Sequence, residues 1–145
     1  MKAPSRTPTP LQRSVRGDIL DGCEFCAYGK LEGDPNSWAG GRFLSASKHA
    51  LAFWSIVPRR RSHVLVVPRR HYMMWSDVDD TDVMKDMWST VGDVIRELGL
   101  SHYNVQQNSG PEAGQTVFHL HLHVMSNLTP QVNPPPRQPL GGSSR

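Results

Sequence analysis

The sequence predicts an α+β domain, with an antiparallel sheet of about five strands and one long helix. Three observations carry this. Five short runs have strand composition, one long segment repeats apolar residues at helical spacing, and that segment falls between the third run and the fourth.

The first two strands are read in "RFLSAS" and "ALAFWSIV". The third lies in "SHVLVVPRRH", where the apolar run Val64 to Val67 ends at Pro68. In "DDTDVMKDMWSTVGDVIRELGL", residues Val83, Met87, Val91, Val94, Ile95 and Leu98 fall three or four apart and predict a helix of about five turns. Asp79 or Asp80 stands at its positive end and Gly99 just past its last turn. "YNVQQN" and "FHLHLHVM" supply the last two strands, joined by the loop "SGPEAG".

A chain of 145 residues suits one domain. Pro, Gly, Ser and Thr dominate both ends, which predicts a folded part from 18 to 129 between disordered tails at 1–17 and 130–145. Pro4, Pro8 and Pro10 argue against an amphipathic targeting helix. No apolar run approaches the roughly 18 residues of a membrane span, and no secretory signal opens the chain, so a cytoplasmic location is expected. The pI of 9.1 would suggest nucleic acid as a partner, but six of the 16 basic residues lie in the acid-free tails. The body carries 10 basic against 13 acidic side chains, which argues against nucleic acid as a partner.

The chemistry concentrates in "QTVFHLHLHVMS". Strand geometry places His119, His121 and His123 on one face, roughly 6.8 Å apart in sequence order, and turns Leu120, Leu122 and Val124 into a core. An imidazole with an ordinary pKa of about 6.5 can serve near neutral pH as nucleophile, proton donor or metal ligand. The competing interpretations are an exposed strand that happens to be histidine-rich and a purely metal-binding face. Upstream, Gly110 and Gly114 would let backbone amides approach a phosphate, with Gln115 and Thr116 as side-chain donors. The only two cysteines form "CEFC". Cys23 and Cys26 are compatible with half of a zinc site, a redox pair or two buried thiols; redox use would favour a pair at the start of a helix after a strand, a pattern not evident here.

"HLHLHV" following "NSGPEAGQTVF" resembles the histidine triad of the HIT superfamily, and "HALAFWSIVPRRRSHVLVVPRRH" is similar to the family's upstream stretch. The resemblance covers roughly Cys23 to Ser126. It implies a HIT-like sheet, with a short helix or turn at the N-terminal side, and a nucleotide hydrolase or transferase. His121 would be the nucleophile toward an α-phosphate, His123 would contact the phosphate and assist the leaving group, and His63 would add a donor or charge nearby. Asn108 fits the family's asparagine that holds phosphate or ribose. By the same resemblance a structural zinc would be held by Cys23, Cys26, His71 and His119, with His49 as the competitor of His71, and the chain would form a homodimer through its long helix and a neighbouring strand.

Ser55 departs from the pattern. Many family members carry there an aspartate that binds both ribose hydroxyls, and a serine offers a single hydroxyl. Trp54, Phe43, Leu44, Leu51 and Phe53 are either pocket walls or core. Arg59, Arg60 and Arg61 read more simply as a solvated turn than as a guide for an anionic substrate, and His102 reads as a surface residue. The main expectation is cleavage at the α-phosphate of a nucleoside monophosphate conjugate through a nucleotidyl-histidine intermediate. The alternative is a nucleotide- or partner-binding module with little turnover.

Overall fold

A computed structural model describes residues 7–38 and 41–127. Five strands, β1 (Phe43–Ala46), β2 (Ala50–Trp54), β3 (Ser62–Pro68), β4 (Asn104–Gln107) and β5 (Leu122–Ser126), form one sheet in the order β1-β2-β3-β5-β4. Every adjacent pair is antiparallel. The expected α+β fold with a five-stranded sheet and one long helix is therefore present.

The strand alternation sorts side chains onto two faces. Ala50, Ala52, Trp54, Val64, Val66, Leu122 and Val124 point to one side, where they bury against Val83, Met87, Val91, Val94 and Leu98 of the long helix. That helix runs Thr81–Leu98; Asp80 caps it by accepting from the Asp82 amide, and Gly99 ends it at φ 64°. Phe43, Leu51, Phe53 and Val67 point to the other side and pack on Phe25 of a short helix, Glu24–Gly29. We number the helices α1 (Pro10–Ser14), α2 (Glu24–Gly29) and α3 (Thr81–Leu98). Gly29 is required for close approach, because a Cβ there would lie 2.0 Å from the carbonyl oxygen of Arg69. Arg69 completes the clamp by donating to the carbonyls of Ser47, Gly29 and Leu31, which fixes α2 against the end of β3.

Two expectations differ from the structure. The 1–17 segment was expected to lack order, yet residues 10–14 form α1. Pro10 sits in the first turn, where its missing N–H is harmless, and Thr9 with Gln12 closes a capping box. Past α1, Gly17 donates to the carbonyl of His71, Asp18 pairs with His71 in an isolated bridge, and Arg16 lies 3.0 Å from Asp77. The expectations for 1–6, 128–129 and the 130–145 tail lie outside the described residues. The second difference is the last strand, which starts at Leu122 rather than near Phe118. The amide of Leu120 donates to the carbonyl of Tyr72 instead of joining the β4 ladder, so His119 and His121 precede the strand proper. Among the described residues, no helix is long and apolar enough to cross a membrane.

Candidate active site and metal centre

His119, His121 and His123 keep the alternation although only His123 lies in β5. Leu120, Leu122 and Val124 enter the α3-side core, and the three imidazoles emerge on the α2 side. His63 joins them from β3, where Leu65 pairs with His123 and His63 with Met125.

Carbonyl oxygens can only accept, so they reveal which ring nitrogen carries hydrogen. His121 Nδ1 lies 2.8 Å from the carbonyl of His119 and must donate to it. Its Nε2 then carries the lone pair. That atom has no hydrogen bond among the described residues, yet it is not one of their buried unpartnered atoms, so it remains open to solvent. His63 Nδ1 accepts from the amide of Arg59 at 3.0 Å. The neutral His63 ring therefore has its hydrogen on Nε2, which donates to His123 Nδ1 at 2.9 Å. This leaves the hydrogen of neutral His123 on its own Nε2. The result is a lone pair on His121 next to a donor on His123, with ring centroids 4.9 Å apart.

Burial disfavours the charged form of all three of these rings. It lowers His121, against the opposing bond to His119. His63 is lowered to about 4 by burial and then by Arg59, His121 and Arg60. His123 is lowered to about 3 by burial, with His121, His63 and Arg59 adding repulsion.

His119 and His71 are arranged the opposite way. His119 Nε2 donates to the carbonyl of Pro68 at 2.9 Å, and His71 Nε2 donates to the carbonyl of Gln12 at 2.8 Å. Each therefore presents a bare Nδ1. That of His119 lies 3.2 Å from Cys23 Sγ and 3.6 Å from Cys26 Sγ. That of His71 is the one fully buried polar side-chain atom without a partner among the described residues. The four donor atoms lie within 4.8 Å of one another. Two sulfurs and two imidazole nitrogens so gathered suit a tetrahedral ion with bonds of about 2.0–2.3 Å, and the carbonyls behind both rings are the supports such ligands use. Cys23 is driven far below the ordinary thiol range by its bond with Cys26, with His119 and His71 adding to this against burial, while Cys26 is pushed up by the same bond and by burial. Burial pulls His71 down, but the nearby Cys23 sulfur and the bond to the Gln12 carbonyl outweigh that and leave it raised. Cys23 is thus the thiol biased toward the thiolate form that a cation binds. His49 is absent from the cluster; its amide instead donates to Asp86. Contrary to the sequence expectation, the cysteine pair does begin a helix, with Cys23 as its N-cap. A turn rather than a strand precedes it, and both sulfurs face His119.

The upstream loop also differs from expectation. Gly110 and Gly114 do take φ of 94° and 100°, but their amides close the loop on itself, donating to Gln115 Oε1 and to the carbonyl of Pro111. Gln115 is only 2% exposed, and its amide group donates to the carbonyls of Met73 and Val117. These bonds make Gln115 a fastener of the loop that closes around the tight turn Pro111–Ala113. Asn108 sits over Gly114, where a Cβ would meet its Nδ2 at 3.3 Å, and Thr116 is exposed. Ser55 follows Phe53 on the histidine side; its hydroxyl oxygen accepts from the Val57 amide. Trp54 and Leu44 belong to the α3-side core, whereas Phe43, Leu51 and Phe53 lie on the site face. His102 is exposed. A cleft of about 200 Å³ between Arg70, Tyr72, Asp80 and Val83 is lined by none of the triad histidines.

One residue read as part of a solvated turn reaches the site. Arg59 Nη2 lies 3.3 Å from His123 Nδ1. Its position in "PRRRSH" gives no hint of this, because the approach depends on how the loop folds back over β5.

The HIT domain family matches residues 40–129. The chain is 40% identical over 81 residues to an uncharacterised HIT-like protein of Methanocaldococcus jannaschii, covering 54% of this chain and 62% of that relative's length. It is 32% identical over 125 residues to an adenosine 5′-monophosphoramidase of Saccharomyces cerevisiae, covering 86% of this chain and 73% of the relative. Among solved structures it is similar to a zinc-bound histidine triad family protein from Mycobacterium smegmatis, with TM-score 0.58 and 28% identity over 72% of this chain and 73% of the other. The chain belongs to the HIT family.

Proposed function

We propose that this protein is a nucleotidyl hydrolase or transferase that cleaves the α-phosphate bond of nucleoside monophosphate conjugates. The observation that carries this reading is the outward lone pair on His121 Nε2, fixed by the Nδ1 hydrogen bond to the His119 carbonyl. Attack by that lone pair forms a nitrogen–phosphorus bond and breaks the bond to the leaving group, which departs with the bonding electrons. The new phosphoryl-imidazole bears positive charge, and the His119 carbonyl, already accepting from Nδ1–H, stabilises it. His123 offers its Nε2–H to the phosphate or the leaving group, and His63 holds that tautomer in place. Asn108, Thr116 and the space left by Gly114 serve the nucleotide's phosphate and sugar, Gln115 holds their loop, and Ser55 makes a single-hydroxyl contact with the sugar. Water, or another acceptor, then releases the nucleotide. The phosphoramidase relative in yeast supports the substrate class.

Cys23, Cys26, His71 and His119 are the residues that would hold one structural zinc. The orphaned His71 Nδ1 supports this, as does the zinc-bound relative. The ion would tie α1, α2 and the end of β3 to the segment that presents His121. A homodimer in the cytoplasm completes the proposal: β4 is an edge strand with half-exposed residues, and Trp88 of α3 and nearby Tyr103 are 49% and 47% exposed.

Incubation with adenosine 5′-phosphoramidate tests the reaction. Release of AMP with multiple turnovers is expected; measurable AMP binding without turnover would instead favour a binding module, for which Ser55 is the structural argument.

A further inference from the structure

Arg59 is anchored through its backbone and unengaged at its tip. Its amide donates to His63, and its carbonyl accepts from Arg60 Nη1 at 2.9 Å, so the main chain is held from two sides. Its guanidinium has a single hydrogen bond among the described residues, to His123 Nδ1 at 3.3 Å. That nitrogen has one lone pair, already used by the shorter bond from His63 at 2.9 Å. Among the described residues Arg59 forms no ion pair; the two pairs found there join Arg16 to Asp77 and Arg96 to Asp93. A planar fork of N–H donors, weakly held beside the site and unpaired with any acid, matches the bidentate demand of a phosphate group.

Resting on the nucleotidyl-transfer reading above, we infer that Arg59 receives an anionic leaving group, and that the preferred substrates join the nucleotide to a phosphate chain rather than to an amine. In the first step the His121 lone pair bonds to the α-phosphorus. The bridging P–O bond breaks, and its electron pair stays on the departing phosphate oxygen. No proton is needed, because the guanidinium neutralises the charge that develops. An amine, by contrast, must be protonated before it departs. Burial and the neighbouring Arg59, His121 and His63 withhold an imidazolium at His123, which leaves only the weaker acid of a neutral ring for that task.

Kinetics with one nucleoside and two leaving groups test this. kcat/KM is measured for diadenosine triphosphate and for adenosine 5′-phosphoramidate, with the wild-type chain, Arg59→Ala and Arg59→Lys. The expected result is a fall in the ratio of the two values, anhydride over amide, of about 10- to 100-fold in Arg59→Ala, the size of one charge-assisted hydrogen bond. Arg59→Lys should restore part of the ratio, since it keeps the charge without the fork. Equal losses on both substrates, or no loss on either, overturn the inference while leaving the nucleotidyl-transfer reading intact. A wild-type chain inert to both substrates overturns the two together.

Discussion

His119 and His121 are two residues apart, face the same side of the sheet and are both buried, yet their chemistry is opposite. His119 gives its Nε2 hydrogen to Pro68 and aims Nδ1 inward at two sulfurs. His121 gives its Nδ1 hydrogen to His119 and leaves Nε2 open. A single backbone carbonyl per ring thus fixes opposite tautomers, and in the proposed reading makes one a ligand and the other a nucleophile. In the proposed reading the row of histidines is two devices joined end to end: a clasp formed with Cys23, Cys26 and His71, and a reaction centre formed with His63 and His123.

Separating the two devices by mutation gives the largest effects. His121→Ala should lower turnover by at least about 10⁴-fold, as loss of a nucleophile does, while metal content by elemental analysis and the melting temperature stay near wild type. His119→Ala should do the reverse in kind, losing the metal and lowering the melting temperature by at least about 5 °C. Amide hydrogen exchange should then show residues 9–18 opening, because Gln12, Gly17 and Asp18 all lean on His71. Metal retained at about one per chain in His119→Ala would contradict the four-ligand clasp.

A smaller effect belongs to the reaction centre alone. His63 and His123 titrate near 4 and 3 in the folded chain, below the roughly 6.5 of an unfolded imidazole. As pH falls below 6.5 the unfolded chain takes up protons that the folded chain refuses, so stability drops, and the loss stops growing only below about 4 for His63 and about 3 for His123. The groups facing these rings, His121, Arg59 and Arg60, act in the same direction. Denaturant unfolding at pH 7, 6, 5 and 4 should show a shallower acid loss in His63→Gln than in the wild type; identical slopes would remove His63 from this account.

α3 was legible because its periodicity survives in one dimension, in Val83, Met87, Val91 and Val94, and β3 because an unbroken apolar run, Val64 to Val67, stops at Pro68. The four-residue clasp was legible only through family resemblance, since His71 and His119 are brought to the cysteines by the Arg69 clamp and by the Leu120–Tyr72 bond, neither of which has a local signal. α1 was obscured by composition. A segment rich in proline reads as unstructured, although "TPLQ" carries both a proline suited to a first turn and a capping box. The same limit hid Arg59, whose side chain meets His123 across 64 positions of sequence.

The proposed role of His121 as nucleophile is tested most directly by mixing the wild-type chain briefly with adenosine 5′-phosphoramidate, stopping at alkaline pH and locating any added mass by peptide mass spectrometry. One adenylyl group on His121 is the predicted result. An adduct on His119 or His123 instead, or AMP release with no adduct at any quench time, would contradict it.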